Sequence, residues 1–172
     1  VRDYNEYLQG LDIYLTCVDE SKCVGRITQL INKTNQFNLT TRRYSQTDIE
    51  GFVVDDNKRV YAFHEKDCFG DNGVIAVVFV DVSNSIPVIT DFVMSCRVMG
   101  KNIEYAIVDY IENELLQDGY NALYAEYIES TKNVPVKCLY DDMGYTVLSE
   151  TESYKRYSLN LGEKIERKYI LT

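Results

Sequence analysis

The sequence contains little of what metal sites, disulfide frameworks and membrane spans require. Its 172 residues include one histidine, His64, and five cysteines, none of which stands in a Cys-x-x-Cys arrangement. A multi-histidine metal site is therefore excluded, and an odd number of cysteines favours reduced thiols. No apolar run approaches the roughly 20 residues that a membrane-spanning helix needs, and we see no signal peptide. We expect a soluble, cytoplasmic protein with no metal in this domain and no membrane partner.

Positive charge is also scarce. Asp and Glu number 27 against 18 Lys and Arg, so the formal net charge is −9. Non-specific nucleic-acid binding needs clustered Lys and Arg against phosphates, and we therefore expect no nucleic-acid partner. Two prolines and 45% hydrophobic residues are typical of a globular chain. We predict an N-terminal tail or linker helix over residues 1–10 and one domain over residues 11–172.

Short apolar and β-branched runs predict the strands. The candidates are residues 11–18, 59–63, 73–82, 87–94 and 122–128, with one or two more in 145–160. The run 73–82 is apolar almost throughout, which is typical of a strand buried on both faces. The second, third and fourth candidates follow one another closely, as in a meander, and do not alternate with helices.

Apolar side chains at helical spacing predict the longest helix over residues 103–117. Residues 24–31 carry a similar, shorter stripe. Ser45 and Asp48 have the spacing of a capping box, which opens another short helix. Pro135 stands at the natural first position of one more.

The joint between the fourth predicted strand and the long helix carries the first functional motif. It contains Arg97, Val98, Gly100, Lys101 and Asn102. A glycine at a helix start lets main-chain N–H groups approach a ligand closely, and the helix dipole attracts phosphate there. The spacing of Arg97 and Gly100 resembles the acyl-CoA pyrophosphate loop of GNAT acyltransferases, Arg/Gln-x-x-Gly-x-Gly/Ala, with Asn102 in place of the last small residue. The alternative is a glycine-containing helix entry with no ligand.

A second motif follows the strand 122–128. Asn133, Tyr140 and Gly144 resemble the GNAT pattern Asn-x-x-Ala-x-x-x-Tyr-x-x-x-Gly-Phe. In that family the asparagine contacts the pantetheine arm, and the tyrosine can protonate the departing thiolate, as a phenol with a pKa of about 10 is able to do. The resemblance therefore implies a cofactor-binding role for Asn133 and a catalytic role for Tyr140. The alternatives are a helix cap and a core tyrosine.

The two motifs together imply a fold. The resemblance predicts a GNAT-like α/β (α+β) domain with a mixed, mostly antiparallel central sheet of about six to seven strands and helices on both faces. In this arrangement the fourth and fifth strands splay apart. We expect the gap to leave main-chain amides free beside Gly100, so that the arm of CoA or of phosphopantetheine can pair with them.

A longer resemblance covers roughly residues 10–150. Residues 31–45, 69–73, 95–100 and 126–136 are similar to the C-terminal GNAT-like part of FkbH-like proteins, in which a HAD-type phosphatase domain precedes this domain. The best-understood members of that family load a glyceryl group from a phosphorylated three-carbon acid onto the phosphopantetheine thiol of an acyl carrier protein. The resemblance implies an acyl carrier protein or acyl thioester as partner, and a HAD-type phosphatase domain in the same full-length chain. The phosphatase motif itself is absent from this sequence.

The polar stretch 33–44 supplies candidate substrate or partner contacts. Asn35 and Gln36 offer amide donors and acceptors, and Arg42 and Arg43 offer forked donors for phosphate or carboxylate. The alternative is that the amides satisfy the backbone of a long loop, while the arginines pair with nearby acids.

Three functions are compatible with these motifs. The first is recognition of a pantetheine thioester or acyl carrier protein in acyl or glyceryl transfer, as in FkbH-like proteins. The second is a degenerate GNAT fold that serves as a docking or structural domain for a HAD phosphatase partner. The third is an independent acetyl-CoA-dependent N-acetyltransferase, for which no Glu or His stands out as a base. Whether the domain is an enzyme stays open, with acyl transfer as its activity if it is active.

Overall fold

A computed structural model describes residues 4–164, 166–167 and 169. Positions 1–3 of the predicted N-terminal segment, and the remaining C-terminal positions of the predicted domain, lie outside the described residues. The described part contains seven strands: β1 (Tyr14–Val18), β2 (Lys58–Asp67), β3 (Gly70–Asp81), β4 (Val88–Met94), β5 (Ala122–Ile128), β6 (Thr146–Glu150) and β7 (Tyr154–Asn160).

Helices precede and separate the strands. They are α1 (Tyr4–Gly10), α2 (Val24–Lys33), α3 (Gln46–Val54), α4 (Ile103–Gln117) and α5 (Leu139–Asp142). Single turns of 3-10 helix stand between several of these elements. Within the described ranges, no helix combines the length and the apolar character that crossing a membrane requires.

The seven strands form one sheet in the order β1-β2-β3-β4-β5-β7-β6. Only β4 and β5 pair in parallel, and every other neighbouring pair is antiparallel. The predicted mixed, mostly antiparallel sheet of six to seven strands, with helices on both faces, is therefore confirmed.

One face of the sheet is covered by α2 and α3. Ile27 and Ile31 of α2 and Ile49 of α3 are fully buried in one cluster with Val77 of β3 and Val93 of β4. The predicted stripe on α2 is the reason this helix lies on the sheet. Burial of each such side chain contributes about 1.5–3 kcal/mol.

The opposite face is covered by α4 and α5. Four apolar residues of α4, spaced four positions apart, are completely buried: Ile103, Ile107, Ile111 and Leu115. This helix has the bounds that the sequence predicts, 103–117. The capping box at the start of α3 is also confirmed, since Ser45 Oγ accepts from the Asp48 N–H at 3.1 Å and the Ser45 N–H donates to Asp48 Oδ2 at 3.0 Å.

The segment after β7 is tied to α4 by a buried ionic cluster. Glu112 of α4 is fully buried and contacts Arg167 Nη2 at 3.0 Å and Lys164 Nζ at 3.3 Å. Asp109 accepts from the same two cations at 2.6 and 3.0 Å, and Tyr145 donates to Glu112 at 2.5 Å. The charges balance two against two, which is what burial of ionised groups requires.

Candidate functional site

The strands β4 and β5 stay paired over a short distance only. Val88 lies opposite Tyr124 and Ile89 lies opposite Ala125, and beyond these pairs the two strands share no register among the described residues. The predicted splay of the fourth and fifth strands is therefore confirmed.

The gap between them is filled by the chain itself. Three main-chain hydrogen bonds place residues 37–39 there: Leu39 N–H to Phe92 O at 3.0 Å, Met94 N–H to Phe37 O at 3.0 Å, and Ile128 N–H to Leu39 O at 2.9 Å. The segment runs antiparallel to β4. The expectation that this part of β4 offers free main-chain groups is therefore wrong, because residues 37–39, hereafter the gap segment, already pair with them.

Side chains anchor the gap segment at each of its positions. Phe37 and Leu39 are buried, and the ring of Phe37 meets that of Phe92 edge-on at 5.2 Å. Asn38 is fully buried: its Nδ2 donates to Thr34 O at 3.1 Å, and its Oδ1 accepts from the Thr41 N–H at 2.8 Å. Apolar burial and local hydrogen bonds hold the segment in the sheet.

Asn133, predicted to contact a cofactor, instead binds the gap segment. Its Nδ2 donates to Asn38 O at 2.9 Å and to Ile128 O at 2.8 Å, while its Oδ1 accepts from the Ser130 N–H at 2.8 Å and from Tyr127 OH at 3.1 Å. A primary amide has two donors and an acceptor with two lone pairs, so the hydrogen-bonding capacity of this side chain is used within the protein.

Tyr140, the predicted proton donor, is a buried side chain with an unpartnered hydroxyl. The residue is 1% exposed, and its oxygen has no hydrogen-bond partner among the described residues. Its ring packs against Tyr145 at 5.4 Å and Tyr157 at 5.5 Å. Burial raises the pKa of Tyr140, and the nearby carboxylates of Asp91 and Glu126 raise it further. The phenol therefore keeps its proton at neutral pH and has a hydrogen available to donate.

The loop before α4 is committed to contacts within the protein. Lys101 Nζ lies 2.7 Å from Asp67 Oδ2 and 3.7 Å from Glu65 Oε1, and Arg97 Nη2 donates to Asn72 O at 3.3 Å. Val98, another residue of the predicted pyrophosphate loop, is fully buried in the core. The cations of the predicted pyrophosphate loop are thus partnered by acids and main-chain oxygen of the domain.

The first turn of α4 is itself acidic. Glu104 is mostly buried there, and burial raises the pKa of its carboxyl. Asn102 takes the N-cap position in a left-handed conformation, with φ of 60°, and makes no side-chain cap bond. Gly100 has φ of 85°, and a β-carbon there would lie 3.5 Å from the hydroxyl of Tyr4 on α1. An acidic side chain therefore lies in the first turn of α4, next to the predicted loop.

A cavity of about 190 Å³ lies between the start of α4 and α5. Its walls are mainly apolar and include Phe37, Met99 and Leu139, with Glu104 and Asp142 as acidic members. Phe37 belongs both to this wall and to the gap segment. The cavity therefore borders the gap segment.

The predicted partner residues of the loop between α2 and α3 divide into two groups. Arg43 donates to Ile31 O, to Thr34 O and to Asn35 Oδ1, so these two predicted residues close the end of α2. Gln36 and Arg42 lie elsewhere. Gln36 Oε1 is 3.8 Å from the thiol of Cys96, at the end of β4.

Arg42 reaches the divergence of β4 and β5. Its Nη1 donates to Thr90 O at 2.7 Å and to Glu126 Oε1 at 3.2 Å. Arg156 of β7 contacts the other oxygen of the same carboxylate, Glu126 Oε2, at 3.4 Å. Two arginines from distant parts of the chain therefore share one glutamate on the α2–α3 side of the sheet.

Asp91 of β4 is a buried carboxylate that the sequence analysis missed. It is 2% exposed and accepts from Thr40 Oγ1 at 3.2 Å, Tyr44 OH at 3.1 Å and Thr90 Oγ1 at 2.8 Å. Burial raises the pKa of Asp91, which these hydrogen bonds only partly offset. A signal was present, since an acid inside the apolar run 88–94 is unusual unless it is paired or functional.

Comparison with solved structures identifies the architecture. The chain superposes on the ribosomal-protein-S18-alanine N-acetyltransferase of Escherichia coli with a TM-score of 0.65 at 12% identity, covering 92% of this chain and 99% of that one. A Desulfovibrio desulfuricans protein assigned to the GNAT acetyltransferase family gives 0.64 at 8% identity, covering 87% and 99%. The spermidine/spermine N-acetyltransferase of Vibrio cholerae gives 0.60 at 14% identity, covering 91% and 96%.

The chain has the GNAT fold. No protein-family model matches the sequence, and no curated protein matches it either. At these identities the likeness concerns the GNAT fold alone, which confirms the predicted architecture. The structure also shows, among the residues it describes, no cluster of three or more His, Cys, Asp or Glu side chains that could hold a metal ion.

The GNAT fold raises the question of whether an acyl-CoA fits this site. At the nucleotide end, Lys101 is already partnered by acids and Glu104 occupies the first turn of α4, while Arg97 is exposed. The thiol end fits better, since Tyr140 holds a buried hydroxyl with no partner among the described residues. The main-chain edge of β4 between these two places is taken by the gap segment.

Proposed function

We propose that this domain transfers an acyl group from a pantetheine thioester to a nucleophilic acceptor. The observation that carries the proposal is the buried hydroxyl of Tyr140, which lacks a partner among the described residues. An unsatisfied buried hydroxyl costs about 1–3 kcal/mol, so its retention needs a reason. This hydroxyl can donate its proton to a departing thiolate.

Tyr140 has the role of proton donor in this proposal. Its surroundings hold the proton on the phenol, because burial and the neighbouring carboxylates both raise its pKa. The rings of Tyr145 and Tyr157 fix its orientation and exclude water from one side. The hydroxyl is thus available to donate to sulfur as negative charge develops there.

Asp91 has the role of proton acceptor. A carboxylate with a raised pKa is a stronger base than an ordinary aspartate, and its position on β4 is on the α2–α3 side of the sheet. Tyr44, which is only half buried, links Asp91 to the surface through its hydroxyl at 3.1 Å. A proton from an incoming nucleophile can reach the carboxylate through that hydroxyl.

The arm attached to a carrier protein suits the site better than CoA does. Phosphopantetheine lacks the diphosphate and adenosine of CoA, and at the start of α4 Lys101 is already paired with Asp67 while Glu104 and Asp142 line the cavity. Like charges at that point disfavour the nucleotide. The resemblance to FkbH-like proteins supports the same choice and adds a HAD-type phosphatase domain as the proposed partner in the full-length chain.

A second candidate is an independent acetyl-CoA-dependent N-acetyltransferase. The overlap with structures of N-acetyltransferases favours it. Asp91 supplies the base that the sequence did not reveal. It differs from the main proposal in the donor, since it needs the nucleotide end of CoA to bind at the start of α4.

Thermal unfolding with separate ligands tests both candidates. The ligands are acetylated holo acyl carrier protein, the apo carrier protein as matched control, acetyl-CoA and CoA. A ligand that binds the folded state only, at 100 times its dissociation constant, adds about 2.7 kcal/mol to stability. Each stabilising thioester is then incubated with a panel of amines and alcohols, and products are identified by mass.

The outcomes separate the proposals. Stabilisation and acyl transfer with the acetylated carrier, but not with the apo carrier or acetyl-CoA, supports the main proposal. Transfer from acetyl-CoA supports the second candidate. If neither thioester stabilises the protein or is used for transfer, both candidate functions are wrong. The docking role that the sequence also allows is then left.

A further inference from the structure

The gap segment makes the hydrogen bonds that an extended ligand would need. Phe92 O and Met94 N of β4 face the gap, and the gap segment bonds both. A main-chain N–H has one hydrogen to donate, so Met94 cannot pair with residue 37 and with a ligand amide at once. Any extended arm that pairs with this edge must therefore displace the segment.

We propose that residues 37–39 form an exchangeable internal strand, which leaves β4 when a thioester arm binds there. The inference rests on the proposed function, because it assigns to the same site the event that opens it. The exchange resembles strand addition at a sheet edge, in which one extended chain replaces another on the same main-chain groups.

The backbone beside the gap segment supports this exchange. Thr41 has φ of 55°, in the left-handed region that β-branched residues rarely adopt. With the gap segment in place, this backbone conformation of Thr41 is held by the Asn38 side chain, which accepts from the Thr41 N–H at 2.8 Å. Movement of Asn38 out of the gap frees Thr41 to return to an ordinary conformation.

The cavity beside the gap segment also supports the exchange. Phe37 lines the cavity between α4 and α5, which is the side from which an arm would approach. Withdrawal of the Phe37 ring joins this cavity to the gap between β4 and β5. Because the gap segment is well anchored, only a small fraction of the molecules has the gap open at any time. The apparent affinity of the ligand is reduced by that fraction.

A reversible disulfide tests the inference. Asn38 and Val93 lie opposite each other, and the flanking bonds Leu39–Phe92 and Met94–Phe37 make them a non-hydrogen-bonded antiparallel pair. Such pairs have Cα atoms about 4.5 Å apart, within the range that a disulfide spans. The double variant Asn38→Cys/Val93→Cys therefore locks the gap segment when oxidised and releases it when reduced.

The measurement compares the two redox forms of the same protein. The exposed cysteines Cys68, Cys96 and Cys138 are replaced by serine in the background. We expect the oxidised form to bind acetylated carrier protein at least tenfold more weakly than the reduced form. The single variant Val93→Cys in the same background is the control and should bind equally under both conditions. Equal binding by locked and released forms overturns the inference while the proposed function stands.

Hydrogen exchange supplies a readout that needs no ligand. In the wild-type protein the amides of Leu39, Met94 and Ile128 should exchange together, through an opening smaller than global unfolding. Their exchange should be faster than that of β3–β4 amides such as Val77, which lies opposite Val93. Acetylated carrier protein should then speed exchange at Leu39 and leave Met94 protected. If the three amides exchange only on global unfolding, the gap segment is a fixed strand and the inference is wrong, whether or not a thioester binds.

Discussion

The side-chain amide of Asn133 donates a hydrogen bond of 2.9 Å to the main-chain oxygen of Asn38, which lies 95 residues earlier in the chain. The same amide group donates to Ile128 O at 2.8 Å. One side chain therefore joins the gap segment to the end of β5. This contact fastens the gap segment to β5, whereas main-chain hydrogen bonds fasten it to β4.

We predict that Asn133→Ala lowers the free energy of unfolding by about 3 kcal/mol, measured by urea denaturation. The substitution leaves two buried carbonyl oxygens and the Ser130 N–H without their partner, and each unsatisfied group costs about 1–3 kcal/mol when buried. The matched control is Asn160→Ala, which removes one exposed bond to the Gly162 N–H and should cost less than about 1 kcal/mol. Equal losses in the two variants would show that Asn133 does not hold the gap segment.

Tyr140→Phe should separate stability from activity. Because the hydroxyl has no partner among the described residues, its removal should raise the free energy of unfolding by about 1 kcal/mol. The rate of acyl transfer should fall about 100-fold, since a positioned general acid contributes at least that factor. Stability is measured by denaturation and the rate by mass detection of product.

The control for this prediction is the neighbouring Tyr157. Its hydroxyl donates to Asp141 Oδ2 at 2.9 Å, so Tyr157→Phe should lower stability by about 1 kcal/mol and leave the proton donor in place. The assigned role is contradicted if Tyr140→Phe loses as much stability as Tyr157→Phe and keeps its rate of acyl transfer.

The buried carboxyl of Asp91 predicts a dependence of stability on pH. Burial raises its pKa in the folded chain above the ordinary value of 3.8. The stability that its neutral form provides is complete below about pH 3.8 and is lost as the pH rises through the folded-state pKa. Asp91→Asn removes this titration, so its stability relative to wild type should increase from pH 4 upward, as followed by thermal unfolding.

Asp71→Asn is the matched control of opposite sign. The Gly73 N–H donates to Asp71, and this bond first, with the nearby His64, lowers the pKa of Asp71. Stability from this group is present above pH 3.8 and is lost as the pH falls. The two variants should therefore diverge from wild type in opposite directions along the pH scale. Parallel profiles would refute the assignment of a raised pKa to Asp91.

Arg167→Leu should destabilise the protein by about 3 kcal/mol. Glu112 is fully buried and keeps only Lys164 as a cation at 3.3 Å once Arg167 is removed, which leaves excess negative charge in the interior. Equilibrium denaturation measures the loss. The control Lys155→Leu breaks the pair of half-buried Lys155 with exposed Glu150 at 3.9 Å and should change stability by less than about 1 kcal/mol. Addition of Glu112→Gln to Arg167→Leu should recover part of the loss.

Local patterns in the sequence were sufficient for much of the fold. The bounds of α4 and β5 agree with prediction, because a helical stripe and a run of β-branched and aromatic residues each depend on near neighbours alone. The capping box at Ser45 is of the same kind. For residues 145–160 the sequence left open whether there is one strand or two, and the structure shows two, β6 and β7.

The candidate site was predicted less completely. Tyr140 and the divergence of β4 and β5 were expected from motifs, and the structure places both at the centre of the domain. Asp91 was overlooked because its partners Thr40 and Tyr44 come from the loop before α3, about 50 positions away. Sequence spacing contains no information on which loop side chains meet a given strand.

The sequence by itself determined most of the segments that become helices and strands, and their order, because those choices follow from side-chain periodicity and capping within a few residues. Only the tertiary structure decided what occupies the gap between β4 and β5. Residues 37–39 satisfy main-chain groups of Phe92, Met94 and Ile128, and such pairings between distant segments depend on where the packed core brings each backbone.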